Sequence, residues 1–281
     1  MKNVLILLVI MAAAATTALA QADIHHVDFK NFTYNPSCAG EDPNSFTKVR
    51  VKNGKYSKET HQDGYTDRFY FSVMGDPQFG DVTGDGRYEA VILSVCNTGG
   101  TGQFTEGFVF TMKRGKASLL ARIPGGDRAE GGLRSIKVEN GLLVVEYSDP
   151  DKAAGACCAE GIVIQKMRVA GSKVADVGPP IKRDLYPKER ISFARGTSGK
   201  QFTVTIPVDD RKRYILGARA GQTLSVSLSG AGDVGMRVLD TDVSEITKRI
   251  NTRLTSSGDH TFEVSNYGAK PVTVTITVRI Q

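Results

Sequence analysis

The sequence predicts an all-β chain, an antiparallel β-meander domain followed by a small, jelly-roll-like β-sandwich. Three observations predict it. Short runs of apolar residues alternate with polar ones, the period of a half-buried strand. Turn residues separate these runs, as at Arg114-Gly115, Asn140-Gly141 and Ala170-Gly171. No amphipathic stretch reaches ordinary helix length. The 281 residues are 40% hydrophobic and 23% charged, with a formal net charge of +6. Disorder needs fewer apolar residues and a higher net charge. The 30 glycines follow no collagen-like period.

The first twenty residues read as a signal peptide. Lys2 precedes an apolar run from Val4 to Ala15, and Ala18-Leu19-Ala20 offers the small-x-small cut before Gln21. The run is too short for a membrane span, which needs about 20 apolar residues. No later stretch approaches that length, so export without a membrane anchor is expected.

The first domain, residues 21–178, contains a series of strand patterns. These are Phe69 to Val73, Tyr88 to Val95, Gly107 to Met112 paired with Ala117 to Ile123, and Ser135 to Val138 paired with Leu142 to Tyr147. Asn140-Gly141 between the last two is a strong hairpin signal. Ile162 to Val169 follows. Val177-Gly178-Pro179-Pro180 then interrupts the pattern, because two prolines remove ladder donors and stiffen the chain. Residues 179–189 are the expected linker.

The second domain, residues 190–281, holds further runs. In the last, Val272, Val274, Ile276, Val278 and Ile280 share one face, and Thr273, Thr275 and Thr277 the other. Asp242 before Val243-Ser244-Glu245 offers a capping box for a short helix over 243–250, with a loop as the alternative.

Charge divides unevenly. Residues 190–281 carry 13 basic and 8 acidic side chains, whereas residues 21–189 carry 22 of each. The excess in the second domain is expected either to attract anionic envelope polymers or lipid headgroups or to serve only as a soluble surface charge. The longest basic run, Arg211-Lys212-Arg213, is too short to suit nucleic acid.

Four cysteines stand at 38, 96, 157 and 158. An even count in an exported chain predicts disulfides. A bond between adjacent Cys157 and Cys158 is strained. The expectation is two bridges tying Cys38 and Cys96 to that pair, in either order.

Among candidate sites, Asp81-Val82-Thr83-Gly84-Asp85-Gly86-Arg87-Tyr88-Glu89 has the alternating oxygen donors of a calcium loop. Asp81, Thr83, Asp85 and Glu89 would supply side chains, and Arg87 its carbonyl. The competing reading is a β-turn whose aspartates bond their own backbone. The Gly-rich loops 97–102 and 124–132 allow close backbone approach to a ligand or to the chain itself. Asp127, Arg128 and Glu130 carry charge in the second of them. No Gly-x-Ser-x-Gly or His-Glu-x-x-His motif supports catalysis. The histidines, His260 among them, occupy positions expected at the surface.

Asp81 to Gly86 resembles one FG-GAP repeat of integrin-type propellers and, more distantly, a dockerin loop. A single copy excludes a propeller. The second domain resembles bacterial pre-peptidase C-terminal domains and periplasmic inhibitors of g-type lysozyme. The residues are Ile191 to Ser198, Tyr214 to Val226 and Ser257 to Phe262, about a third of the chain. The first domain resembles an uncharacterised exported bacterial domain through Gly80 to Gly86, the Gly-Gly-Thr-Gly loop and Ala156-Cys157-Cys158.

The inhibitor resemblance implies a loop of a rigid sandwich meeting catalytic carboxylates with donors, for which Arg195, Lys200 and Arg219 are the candidates. The expectation is a periplasmic or extracellular binding protein that recognises an envelope polymer or a secreted wall-degrading enzyme. A hydrolase using the Gly-rich loops and a purely structural envelope protein are the alternatives.

Overall fold

The computed structural model describes residues 23–39, 48–62, 64–128, 130–152, 159–240 and 246–281. The signal peptide expected at 1–20 lies outside them. The described residues are all-β apart from four single 3-10 turns. It divides into two compact units, one of Met1–Cys158 with Val163–Ile181, the other of Ala159–Ile162 with Lys182–Gln281.

In the first unit, β1 (Thr33–Tyr34) and β2 (Val49–Arg50) form a short pair. Next come β3 (Lys55–Gln62), β4 (Tyr65–Gly80), β5 (Glu89–Asn97), β6 (Phe104–Lys113) and β7 (Lys116–Ile123). They lie in the order β3-β4-β5-β6-β7, a pure meander. β8 (Leu133–Glu139), β9 (Leu142–Ser148), β10 (Gly161–Ala170) and β11 (Lys173–Asp176) form a second meander, in the order β11-β10-β9-β8.

The first sheet is covered on both faces, which explains the near-continuous apolar run of β5. Ala90, Ile92 and Cys96 pack with Ile24, Phe29 and Tyr34 of the N-terminal segment. Val91 packs on the other face with Leu143 and Val145 of the second sheet. At Gly80 a Cβ would fall 2.4 Å from Val138 Cγ1, so this close approach excludes a side chain. The Asn140-Gly141 turn forms as predicted, with φ of 51° and 74°. Those values suit a two-residue hairpin that matches strand twist.

The 3-10 turn Ser37–Ala39 brings Cys38 to the face that carries Cys96. The two are joined, with Cα atoms 6.6 Å apart. This corrects the expected bridges from Cys38 and Cys96 to Cys157 and Cys158. The N-terminal segment covers β5, so the two cysteines distant in sequence meet within one core. Cys157 and Cys158 lie outside the described residues. The bond suits an oxidising compartment.

After β12 (Ile181–Asp184), the second unit contains β13 (Lys188–Arg190), β14 (Gly199–Ile206), β15 (Arg211–Ala218) and β16 (Thr223–Ser229). It closes with β17 (Val234–Val238), β18 (Arg249–Arg253), β19 (Gly258–Asn266) and β20 (Val272–Ile280). The strands form two four-stranded sheets, β13-β15-β19-β17 and β14-β20-β16-β18. Consecutive strands from β14 to β20 alternate between the sheets, which makes a jelly-roll-like sandwich. In β20 the five aliphatic residues are buried and the three threonines face outward. Each buried aliphatic side chain contributes about 1.5–3 kcal/mol.

The helix considered over 243–250 is replaced at its end by a strand. Arg249–Arg253 pairs with β16, and Ile250 fills the core opposite Val226. Residues 241–245 lie outside the described set.

Candidate functional site

One end of the second unit's sandwich gathers the tips of several strands. The Ile280 N–H donates to Ser198 O at 2.8 Å and the Thr223 N–H to Gln281 O at 2.7 Å. The Gly221 N–H donates to Leu254 O and the Leu254 N–H to Gln222 O, each at 2.8 Å. These bonds draw loop 191–198, turn 219–222, loop 254–257 and the end of β20 together. Gly221 has φ +85°, which permits the turn to close.

The same end carries Arg195, Lys200, Arg219, Arg253 and Arg279, all exposed. Arg279 stands opposite Gly199, and Arg253 opposite Thr223. None of the five forms an ion pair with a described residue. The nearby described carboxylates are engaged elsewhere. Asp259 takes a two-pronged bond from Arg190, which holds its carboxyl below the usual range. Asp240 meets His260 Nδ1 at 2.7 Å and accepts the Thr261 N–H at 3.1 Å.

The structure therefore brings Arg195, Lys200 and Arg219 to one end of the molecule's second unit and adds Arg253 and Arg279. Lys200 is the most constrained, its ammonium 5.7 Å from the centre of the Phe202 ring. Register would have identified the two additional arginines, because Arg253 is the last residue of β18 and Arg279 the last but one of β20. His260 is buried rather than at the surface, since it shares the inward face of β19 with Phe262 and Val264. Its Nε2 lies 3.2 Å from Ser256 O.

A second cluster lies on the outward face of β13-β15-β19-β17. Glu263 is fully buried there and is bonded by Arg213 Nε at 2.8 Å and Arg237 Nη2 at 3.1 Å. Arg213 also clamps Glu160 with both Nη atoms. That fork holds the Glu160 carboxyl below its ordinary value and raises the Arg213 guanidinium. Tyr186 lies against Arg211 and Arg213, 4.6 and 5.3 Å from their guanidinium carbons. These charges satisfy one another, so the cluster ties upstream residues to the sandwich and leaves little for a ligand.

In the first unit, loop 81–89 is closed by its own backbone. Asp81 Oδ1 accepts the N–H groups of Gly84 at 2.7 Å and Asp85 at 3.2 Å, and Oδ2 that of Gly86 at 2.9 Å. The Gly86 bond, then those of Gly84 and Asp85, hold its carboxyl low. Asp85 accepts the backbone N–H and the guanidinium of Arg87. Thr83 donates to Asp81 Oδ1 at 3.4 Å. Glu89 turns into the core, where burial raises its carboxyl and its partners are Thr111 Oγ1 and the Val82 N–H. Calcium at this loop would require these oxygens to exchange N–H partners for the ion. Among the described residues no three His, Cys, Asp or Glu side chains are grouped to hold a metal.

The Gly-rich loops fold on the chain. A Cβ at Gly125 would fall 1.9 Å from Thr105 O, and one at Gly132 2.5 Å from Asp127 O. Asp127 Oδ2 accepts the Gln103 N–H at 2.7 Å, and the Arg128 N–H donates to Gln103 O at 3.1 Å. Glu130 is exposed, and its N–H donates to Asp127 O at 3.0 Å. The glycines thus serve contact between backbones. A cavity of about 290 Å³ opens beside the β4 bulge between Met74 and Gln78, over Val91, Leu93 and Ile136.

No protein-family model and no curated protein matches the chain. Solved structures similar to part of it include periplasmic inhibitors of g-type lysozyme. The Aeromonas hydrophila inhibitor is 22% identical, with a TM-score of 0.31, over 34% of this chain and 96% of its own. The Salmonella Typhimurium protein is 19% identical, with a TM-score of 0.30, over 34% of this chain and 97% of its own. A mutant of the Escherichia coli inhibitor is 18% identical, with a TM-score of 0.29, over the same shares.

Proposed function

We propose that the chain is a secreted, non-enzymatic binding protein and that the basic end of its second unit engages an acidic partner, most concretely the carboxylate-lined cleft of a wall-degrading enzyme. The observation that carries this reading is the grouping of Arg195, Lys200, Arg219, Arg253 and Arg279 with no described counter-ion among them. Glycan-cleaving enzymes work with two facing carboxyl groups, one of which keeps a proton to donate. An inserted guanidinium favours the ionised form of that acid and occupies the space of the attacked bond. Each charge-assisted hydrogen bond contributes about 1.5–3 kcal/mol. The backbone that carries them is fixed by strand ends and tight turns, so the ordering cost is confined to the side chains, about 0.5–1.5 kcal/mol for each one immobilised.

The charge excess selects the target. A basic enzyme repels this end, so the partner is acidic or neutral overall, or carries an acidic patch at its cleft. The test is a titration of the mature protein against c-type, i-type and g-type lysozymes, following wall lysis. Saturable, stoichiometric inhibition of one class, weakened by salt, is expected. No inhibition of any class at concentrations well above the enzyme's would overturn the enzyme-directed reading.

A further inference from the structure

The outward face of β14-β20-β16-β18 has a composition that a merely solvated surface does not require. On the middle row, Gln201, Thr277, Ser227 and Arg249 stand side by side across the four strands. On the next row Arg279, Ser225 and Asn251 follow. Every other outward position of these strands is a threonine, a serine, an arginine or, at the start of β14, Gly199. No outward side chain on the four strands is acidic, aromatic or aliphatic. None is buried.

The hydroxyls are arranged to donate. Thr205 and Thr273 share a bond of 2.8 Å, and Thr203 and Thr275 one of 3.3 Å. In each pair one hydroxyl donates to the other, which keeps its own proton for an outside acceptor. The Ser225 hydroxyl donates to Asn251 Oδ1 at 3.0 Å, so the Asn251 amide nitrogen has both protons free to point outward. Strand geometry repeats these donors about every 4.8 Å across the sheet and about every 6.8 Å along it. Arg249 and Arg253 flank the array along the edge strand β18, and Arg279 stands within it near the end of β20.

We propose that this face docks an anionic polysaccharide carrying carboxylate groups. The argument is complementarity. The face offers neutral donors and three guanidinium groups with no competing carboxylate, and such a polymer presents hydroxyls and carboxylates at repeating intervals. Protein partners are disfavoured, because their interfaces are anchored by aromatic and aliphatic side chains that this face lacks. A lipid surface is disfavoured because nothing here inserts between acyl chains. Adjacent strands rotate by about 20–25°, so the occupant follows a twisted row and is a flexible chain. The inference rests on the reading of the chain as an exported binding protein; the surface shares Arg253 and Arg279 with the basic end and is set apart from it by the hydroxyl rows and Arg249, which lie away from the loops of Arg195 and Arg219.

The experiment uses the mature chain with alginate, a polyuronate, as probe and uncharged dextran as control, read by affinity electrophoresis and by calorimetry at low and near-physiological salt. Alginate is expected to bind with salt-sensitive affinity, and dextran far more weakly. Arg249→Gln with Thr277→Val alters the middle row and leaves the loop end intact, and should weaken alginate at least about tenfold. Thr277→Val alone, β-branched and isosteric, should weaken it less and melt as the wild type does. Arg195→Ala with Arg219→Ala should leave alginate binding within about twofold of wild type while abolishing any enzyme inhibition, which separates the two surfaces. No alginate binding, equal binding by the middle-row variant, or binding to phosphatidylglycerol vesicles in place of alginate would overturn the proposal.

Discussion

Glu263 is the residue whose environment departs most from that of an ordinary sheet position. It is an ionised group with almost no water access, and it survives because Arg213 and Arg237 donate to it. Breaking a buried pair from one side costs about 3–5 kcal/mol, because the remaining charge stays desolvated. Arg213→Met is therefore expected to lower the stability of the second unit by about 3 kcal/mol, measured by denaturant unfolding. Little or no loss would show that Arg211 and Arg237 suffice. Glu160 gives a pH signature of the same cluster. Arg213 holds its carboxyl below the ordinary 4.5 in the folded state. That contribution is complete above 4.5 and is lost as pH falls through the depressed folded value. Glu160→Gln should accordingly flatten the fall of melting temperature below about pH 4.5. Asp81 makes an opposite kind of prediction. Three backbone N–H groups already fill its carboxylate, so millimolar calcium should leave the melting temperature unchanged. A rise of several degrees would show that the loop reorganises around the ion.

At the scale of elements, strands with one wet and one dry face were the most legible. β20 and the β8–β9 hairpin follow from alternation and from Asn140-Gly141. β3 was not legible. Lys55 to Gln62 is polar along its length, and its pairing with Tyr65 to Ser72 is read only from the partner strand. β18 was hidden for a related reason, since a single inward Ile250 marks it and the preceding Asp242-Val243-Ser244-Glu245 reads as a helix capping box. The disulfide was misread because local spacing says nothing of which segments share a core face. Cys38 and Cys96 close a separation of 58 residues. Cys38→Ala with Cys96→Ala should cost about 4 kcal/mol by loop-entropy reasoning, with the N-terminal segment as the first part to lose protection from hydrogen exchange.

At the scale of the whole molecule, the charge split between the halves was the most informative feature of composition. It pointed to the second unit, and the structure places five of that unit's cations at one end. The ends of β14, β16, β18 and β20 meet only in three dimensions, so the sequence could suggest Arg195, Lys200 and Arg219 without including Arg253 and Arg279. The second unit also begins earlier than the proline-rich break implies, because it takes in Ala159–Ile162. Glu160 and Tyr186 lie against Arg213. Tyr186→Ala with Glu160→Ala in the full chain should therefore lower the melting temperature of the second unit by several degrees.

The most direct test of the central claim is reversal of charge at the basic end. The mature protein and its Arg195→Glu/Arg219→Glu variant would be titrated by calorimetry against the lysozyme class that the wild type inhibits. Both positions are exposed turns, so the variant should melt with the wild type. Loss of two charge-assisted bonds, about 3 kcal/mol together, predicts affinity at least about a hundredfold weaker. Unchanged affinity in a folded variant would contradict the account and move the binding surface elsewhere on the chain.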